Sequence, residues 1–132
     1  MRMTIKQVEV LIKSHMSKWL SSEWSFGFYS TRKPRSNART RTISLGRCNY
    51  NRKMVCLNSD YAVAADKSHV LDTILHEIAH GMSTVDEWGF RARGHGKEWK
   101  ENCKRIGCSG ERCNKDRAWL TVAKLIPHNL IS

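Results

Sequence analysis

The residues best suited to chemistry in this sequence are two histidines and a glutamate at fixed spacing, His76, Glu77 and His80. They lie in the segment LDTILHEIAHGM, whose apolar residues recur at helical spacing on the side away from the histidines. Residues four apart on an α-helix are about one turn apart and project in the same direction. The two imidazoles can therefore bind one Zn²⁺ ion, and Glu77 can act as a general base towards an attacking water.

A third ligand decides which kind of zinc site the motif forms. The metzincin extension needs a glycine and a histidine where this sequence has Ser83 and Asp86, so that arrangement is excluded. The predicted third ligand is His95, because the glycines on either side of it permit a tight backbone course that returns its imidazole to the helix. Glu87 and Glu98 are the carboxylate alternatives. Three protein ligands leave one position open, as in catalytic zinc sites.

Asp72 precedes His76 by one helical turn. It is predicted either to orient that imidazole as a hydrogen-bond acceptor or to be exposed to solvent.

The elements that must position this site give an α+β pattern. Apolar residues recur at helical spacing in some segments and alternate with polar residues in others, where they indicate strands. The predicted strands form a small antiparallel sheet of about three strands, packed against the motif helix and flanking helices. The motif helix is capped by Asp66 or Ser68. The other predicted elements are helices at 4–20, 97–106 and 116–126 and strands at 23–30, 42–48 and 53–57.

The chain of 132 residues is expected to form a single domain over 1–132, with residues 114–132 as a C-terminal tail or short helix. No segment has the pattern of a signal peptide or a membrane span. The five cysteines include no C-x-x-C pair, which favours reduced thiols in a cytoplasmic protein. Cys103, Cys108 and Cys113 are interpreted as unpaired thiols, with a second zinc site as the alternative.

The net charge of +11 indicates attraction to a polyanion, and the expected polyanion is nucleic acid. From Ser30 to Lys53 there are eight Lys or Arg residues and no Asp or Glu. A basic loop in this stretch is predicted to contact DNA phosphates without reading bases, and the alternative is a solubilising loop. Its predicted contact residues are Arg32, Lys33, Arg35, Arg39 and Arg41.

Several motifs together resemble the SprT-like zinc metallopeptidase family, over roughly residues 19–113. They comprise Gly46-Arg47-Cys48, the run from Lys53 to Asn58, the helix with His76, Glu77 and His80, the phrase Gly94-His95-Gly96-x-x-Trp99, and Ile106-Gly107. The resemblance implies a zincin-like fold, with one catalytic Zn²⁺ held by His76, His80 and His95 and with Glu77 as the catalytic acid/base. Relatives of the Spartan type degrade proteins crosslinked to DNA. Some relatives also carry a C-terminal zinc ribbon with paired C-x-x-C motifs, which this sequence lacks.

The hypothesis from the sequence is therefore a zinc-dependent endopeptidase acting on proteins at or near DNA. Its expected partners are a protein or peptide substrate and DNA, with no membrane, and it is expected to be a cytoplasmic monomer. The small size and the missing ribbon suggest a phage or mobile-element origin. The alternatives are a non-catalytic, zinc-stabilised module associated with nucleic acid, and a peptidase with no DNA dependence.

Overall fold

The computed structural model describes residues 1–30, 44–83 and 95–109, together with Trp119 and Val122. Four helices and three strands lie in these residues, in an α+β arrangement. They are α1 (Ile5–Trp19), β1 (Ser25–Tyr29), β2 (Gly46–Asn49), β3 (Met54–Asn58), α2 (Ser59–Ala64), α3 (Lys67–Gly81) and α4 (Lys97–Ile106).

Helix α1 matches the helix predicted over residues 4–20. Thr4 caps its first turn, and the side chains of Thr4 and Gln7 each accept a hydrogen bond from the other residue's backbone N–H. Val8, Ile12 and Met16 form its buried stripe and pack into the main core. Local sequence signals therefore define this helix, and burial of one face fixes it to the rest of the molecule.

The sheet has the strand order β1-β3-β2, with β3 in the centre. β2 pairs with β3 antiparallel, as expected for a hairpin, but β1 pairs with β3 parallel. The prediction of an antiparallel sheet was therefore wrong, because β1 lies on the far side of β3 instead of beside β2. This register sets Phe26 and Phe28 of β1 opposite Val55 and Leu57, which are buried in the core.

No element was predicted between the strand at 53–57 and the motif helix, but most of residues 58–67 form helix α2. The side chain of Asn58 caps it by accepting hydrogen bonds from the N–H groups of Asp60 and Tyr61, at 3.0 and 3.2 Å. All six residues of α2 are buried. The hydroxyl of Tyr61 shares a hydrogen bond of 2.9 Å with that of Thr73, which joins α2 to α3. The short helix therefore fixes the end of the sheet against the histidine-bearing helix.

Helix α3 begins at the predicted cap Asp66, whose carboxylate accepts from the N–H of Ser68 at 3.1 Å. Val70, Ile74 and Ile78 are almost completely buried in the main core. These three residues share one face of the helix. The core therefore determines which way the remaining faces of α3 point, including the one that bears the histidines.

Helix α4 matches the prediction for residues 97–106. It ends at Gly107, whose φ of 93° is in the left-handed region that favours glycine. The predicted C-terminal helix at 116–126 lies outside the described residues except for Trp119 and Val122. Trp119 is buried in the main core, 5.5 Å from the ring of Tyr61. None of the described helices is long and apolar enough to cross a membrane.

Candidate metal centre

The structure brings the imidazoles of His76, His80 and His95 together. His76 and His80 project from α3, and His95 lies just before α4. The Nε2 atom of His95 is 2.9 Å from that of His76 and 3.2 Å from that of His80, and the remaining pair is 3.2 Å apart. Within the described residues, this is the cluster of three or more His, Cys, Asp or Glu side chains that can hold a metal ion.

The spacing of the three nitrogens fits a tetrahedral zinc site. Zn–N bonds of about 2.0–2.1 Å place ligand nitrogens about 3.3 Å apart around a tetrahedron. Each ring nitrogen has either one hydrogen or one lone pair in the ring plane, so three convergent Nε2 atoms cannot satisfy one another by hydrogen bonding. A cation between them satisfies all three lone pairs. The donor set therefore fits Zn²⁺, with a fourth position left for a substrate or water.

The histidine cluster favours neutral imidazoles, which are the form that binds metal. Burial lowers the pKa of His80 to about 4, and repulsion from His76 and His95 acts in the same direction. Partial desolvation penalises the charged form, and three imidazolium groups at this spacing would repel one another.

Trp99 forms one wall of the cluster. Its ring centroid lies 4.7 Å from that of His76, 5.6 Å from that of His80 and 4.5 Å from that of His95. Its indole N–H donates to the backbone carbonyl of His76 at 3.3 Å, and the Asn102 amide donates to the carbonyl of Ala79 at 3.0 Å. Trp99 is only 3% exposed. Helix α4 therefore packs a buried indole ring against the histidine rings.

Glu77 lies at the edge of this cluster and is nearly buried, with 7% of its surface exposed. One of its carboxylate oxygens, Oε1, is 4.0 Å from Nε2 of His76. Burial raises the pKa of Glu77 to about 8. A divalent cation at the histidines favours the carboxylate form and so opposes this effect of burial. A nearly buried carboxyl group thus lies beside the three histidines.

The strand β2 packs directly against this carboxylate. A methyl group built onto Gly46 would lie 2.9 Å from Cγ of Glu77 and 3.3 Å from its Oε1. Sequence reasoning placed Gly46 and Trp99 in motifs but missed their contacts with Glu77 and with the histidines. Both contacts join segments far apart in the chain, and the motif spacing carried no signal of them.

Other sequence predictions for this region have different outcomes. Both carboxylate oxygens of Asp72 accept hydrogen bonds from Ser109, from its N–H and its hydroxyl, at 2.7 Å each. Asp72 therefore anchors the segment after α4, a role that the sequence did not predict. Glu98 does not belong to the metal cluster. The alternative ligand Glu87 and the five basic residues Arg32, Lys33, Arg35, Arg39 and Arg41 lie outside the described residues.

The cysteines do not add a second centre in the described part of the chain. Cys48, Cys56, Cys103 and Cys108 form no disulfide with one another. Cys103 is buried beside Trp99 and Ala79, and Cys108 packs at the edge of that cluster. Cys113 lies outside the described residues, so the choice between thiols and a second zinc site stays as the sequence left it.

A family model described as the SprT-like family matches residues 14–118, which is most of the chain. This family is zinc metallopeptidase-like. No curated protein and no solved structure matches the chain significantly.

Proposed function

The chain belongs to the SprT-like family, and on that premise we propose that it is a zinc-dependent endopeptidase with a zincin-like fold. We propose further that it acts on proteins at or near DNA, in the cytoplasm. The observation that carries the peptidase proposal is the convergence of three Nε2 atoms, 2.9 to 3.2 Å apart, beside the buried Glu77. A site that serves only to hold the fold together has no use for a nearly buried acid at that position.

His76, His80 and His95 would hold the metal, which supplies Lewis-acid chemistry to a peptide carbonyl when bound. Glu77 is within 4.0 Å of one of these ligands and has little solvent around it. We assign it the proton transfers: it takes a proton from the attacking water and delivers a proton to the leaving amine. Trp99 excludes water from the inner side of the histidines and restricts the rotation of their rings.

The strand β2 is our candidate for the peptide-binding edge. Among the described strands, β2 pairs only with β3 and so forms an edge of the sheet. The N–H of Asn58 donates to the carbonyl of Leu45 at 2.9 Å, so the Leu45 carbonyl points towards β3. By the alternation of antiparallel strands, the backbone groups of Gly46 point away from β3, on the side where a peptide could add as a strand. This edge lies beside Glu77, as a substrate edge requires.

The DNA part of the proposal is supported by charge and by the position of the basic stretch in the chain. Residues 31–43 contain Arg32, Lys33, Arg35, Arg39 and Arg41. The described residues on either side are joined, because the hydroxyl of Tyr29 contacts both the carbonyl and the hydroxyl of Ser44, at 2.8 and 3.0 Å. The residues that flank the basic stretch, Ser30 after β1 and Ser44 before β2, therefore lie at the same end of the sheet.

The test is cleavage of a DNA-binding protein, and of the enzyme itself, by zinc-loaded wild type and by Glu77→Gln, each with and without single-stranded DNA. We expect the variant to bind zinc and fold normally but to lose at least about 10²-fold in kcat/KM, since it cannot accept a proton.

Three other results would change the proposal. Cleavage that is equal with and without DNA would remove the DNA part of it. Equal cleavage by wild type and Glu77→Gln would refute the assigned role of Glu77. No cleavage by zinc-loaded wild type would favour a non-catalytic, zinc-stabilised nucleic-acid module.

A further inference from the structure

We propose that Gly46 is a positioning residue for Glu77: the missing side chain at position 46 leaves the space in which the carboxylate is held. The inference concerns the contact between β2 and α3. Only its consequence for catalysis rests on the proposed function.

Glu77 approaches the backbone at position 46 so closely that no Cβ atom fits there. An added Cβ would lie 2.9 Å from Cγ of Glu77, nearer than Cβ atoms approach other atoms in real proteins. It would also lie 3.3 Å from Oε1 of Glu77 and 3.3 Å from Cγ2 of Thr73. Carbon atoms pack best about 3.5–4.0 Å apart, so the first contact is repulsive and the third is only tight.

Backbone conformation does not explain a glycine here. Among the described residues, Lys53 and Gly107 are those with positive φ, and Gly46 is in ordinary strand conformation. Glycine weakens a strand, since it has no side chain to pack and loses more conformational entropy on folding. The close approach of Glu77 supplies the reason for a small residue at this position.

A side chain at position 46 would move Glu77 more readily than it would move β2. The Gly46 carbonyl accepts a hydrogen bond from the Ser44 hydroxyl at 3.1 Å, and the adjacent Leu45 carbonyl is bonded to the N–H of Asn58. The opposite residue on β3, Leu57, is fully buried. Helix α3 is fixed by its own buried face. The Glu77 side chain beyond Cβ is the part that can rotate, and rotation takes its carboxylate away from His76.

A double-mutant cycle on the metal-free protein tests the contact without any activity. Gly46→Ala is made in the wild-type background and in Glu77→Ala, which removes Cγ and the carboxylate. We expect Gly46→Ala to lower Tm by at least about 4 °C with Glu77 present, and by much less without it. Equal losses in the two backgrounds would overturn the inference.

Two further variants separate this contact from its alternatives. Gly27→Ala changes a glycine on β1, where the added Cβ would meet only Met54 Sδ at 3.4 Å and Cys56 Sγ at 3.8 Å, so it controls for loss of a strand glycine. Thr73→Ser removes Cγ2 while keeping the hydroxyl that contacts Tyr61. If Thr73→Ser abolished the effect of Gly46→Ala on Tm, the relevant contact would be Thr73, and the inference would be wrong.

Kinetics then tests the positioning role. Displacing a reacting group by about 1 Å can cost about 10²-fold in rate, so we expect Gly46→Ala to lower kcat by that order, with zinc affinity close to that of wild type. Wild-type kcat in Gly46→Ala, or an equal loss in Gly27→Ala, would overturn the inference. If wild type itself cleaves nothing, the proposed function fails, and the cycle of Tm values alone decides whether Gly46 sets the position of Glu77.

Discussion

At the scale of single residues, Trp99 has no ligand atom but contacts every histidine of the candidate metal site. Its ring contacts all three histidines, and its N–H is bonded to the backbone of His76. Groups that support metal ligands typically contribute 10–100-fold to metal affinity, because they fix the ligand orientation before the metal binds. The supporting role usually taken by a carboxylate is here taken in part by an aromatic ring.

We predict that Trp99→Phe lowers zinc affinity by about 10-fold. The phenyl ring keeps part of the wall but loses the hydrogen bond to the His76 carbonyl and leaves space beside the imidazoles. The measurement is competition for zinc with a chromophoric chelator at fixed pH. Trp19→Phe is the matched control, since Trp19 packs on the main core and not on the cluster that contains Trp99. Equal affinity losses in the two variants would show that the effect is general loosening and not support of the histidines.

At the scale of elements, the position of α3 depends on the junction between β3 and α2. Asn58 is fully buried there and makes three hydrogen bonds through its side chain. Its side-chain carbonyl oxygen caps α2 through Asp60 and Tyr61, and its amide donates to the carbonyl of Ser44 at 3.1 Å. One side chain thus joins the end of β3, the start of α2 and the segment leading into β2.

We predict that Asn58→Ala destabilises the protein by about 2–4 kcal/mol. The loss exceeds that of an ordinary helix cap because two buried N–H groups lose their acceptor and the Ser44 carbonyl loses one of its two donors. Urea unfolding at equilibrium measures it. Thr4→Ala is the comparison, since Thr4 caps α1 from an exposed position and is expected to contribute about 1 kcal/mol. If the two variants lose the same free energy of unfolding, the junction is no more important than a surface cap.

An element could be predicted from the sequence when the pattern that indicates it lies within the element itself. Helices α1, α3 and α4 could be predicted because caps, apolar spacing and a terminal glycine all lie within the segment itself. Helix α2 was missed because all six of its residues are buried, so it has no polar face and no helical periodicity. The parallel pairing of β1 with β3 was also missed, since it depends on contacts between distant segments.

In the candidate site, too, local features could be predicted and contacts between distant segments could not. The spacing of His76 and His80 is a property of one helix, and the glycines around His95 are adjacent to it, so these residues could be singled out from the sequence. The contacts that surround them depend on the packing of α4 and β2 against α3. No spacing in the chain encodes that Trp99 lies against the histidine rings or that Gly46 lies against Glu77.

At the scale of the whole molecule, the excess of 23 Lys and Arg over 12 Asp and Glu gives a long-range attraction for polyanions whatever the details of the site. Total charge and local clustering make different predictions. If total charge dominates, any basic residues contribute equally to DNA affinity. If the cluster dominates, the basic residues between β1 and β2 contribute more than an equal number of charges elsewhere.

We predict that replacing Arg32, Lys33, Arg35, Arg39 and Arg41 together with Gln weakens binding to single-stranded DNA and flattens its salt dependence. Removing one phosphate contact reduces the slope of log affinity against log salt by about 0.7. Binding is measured by fluorescence anisotropy at several salt concentrations. The matched control replaces five exposed basic residues of α1 and α4 with Gln, namely Lys6, Lys13, Lys100, Lys104 and Arg105.

The control determines what a loss of DNA affinity means. Both variants change the net charge from +11 to +6, by subtraction of five, so they weaken general attraction equally. A larger loss of slope in the first variant shows that phosphates contact these five residues in particular, in the part of the chain between β1 and β2. Equal slopes would show that only total charge matters, and DNA would then bring substrate to the protein without orienting it at the catalytic edge.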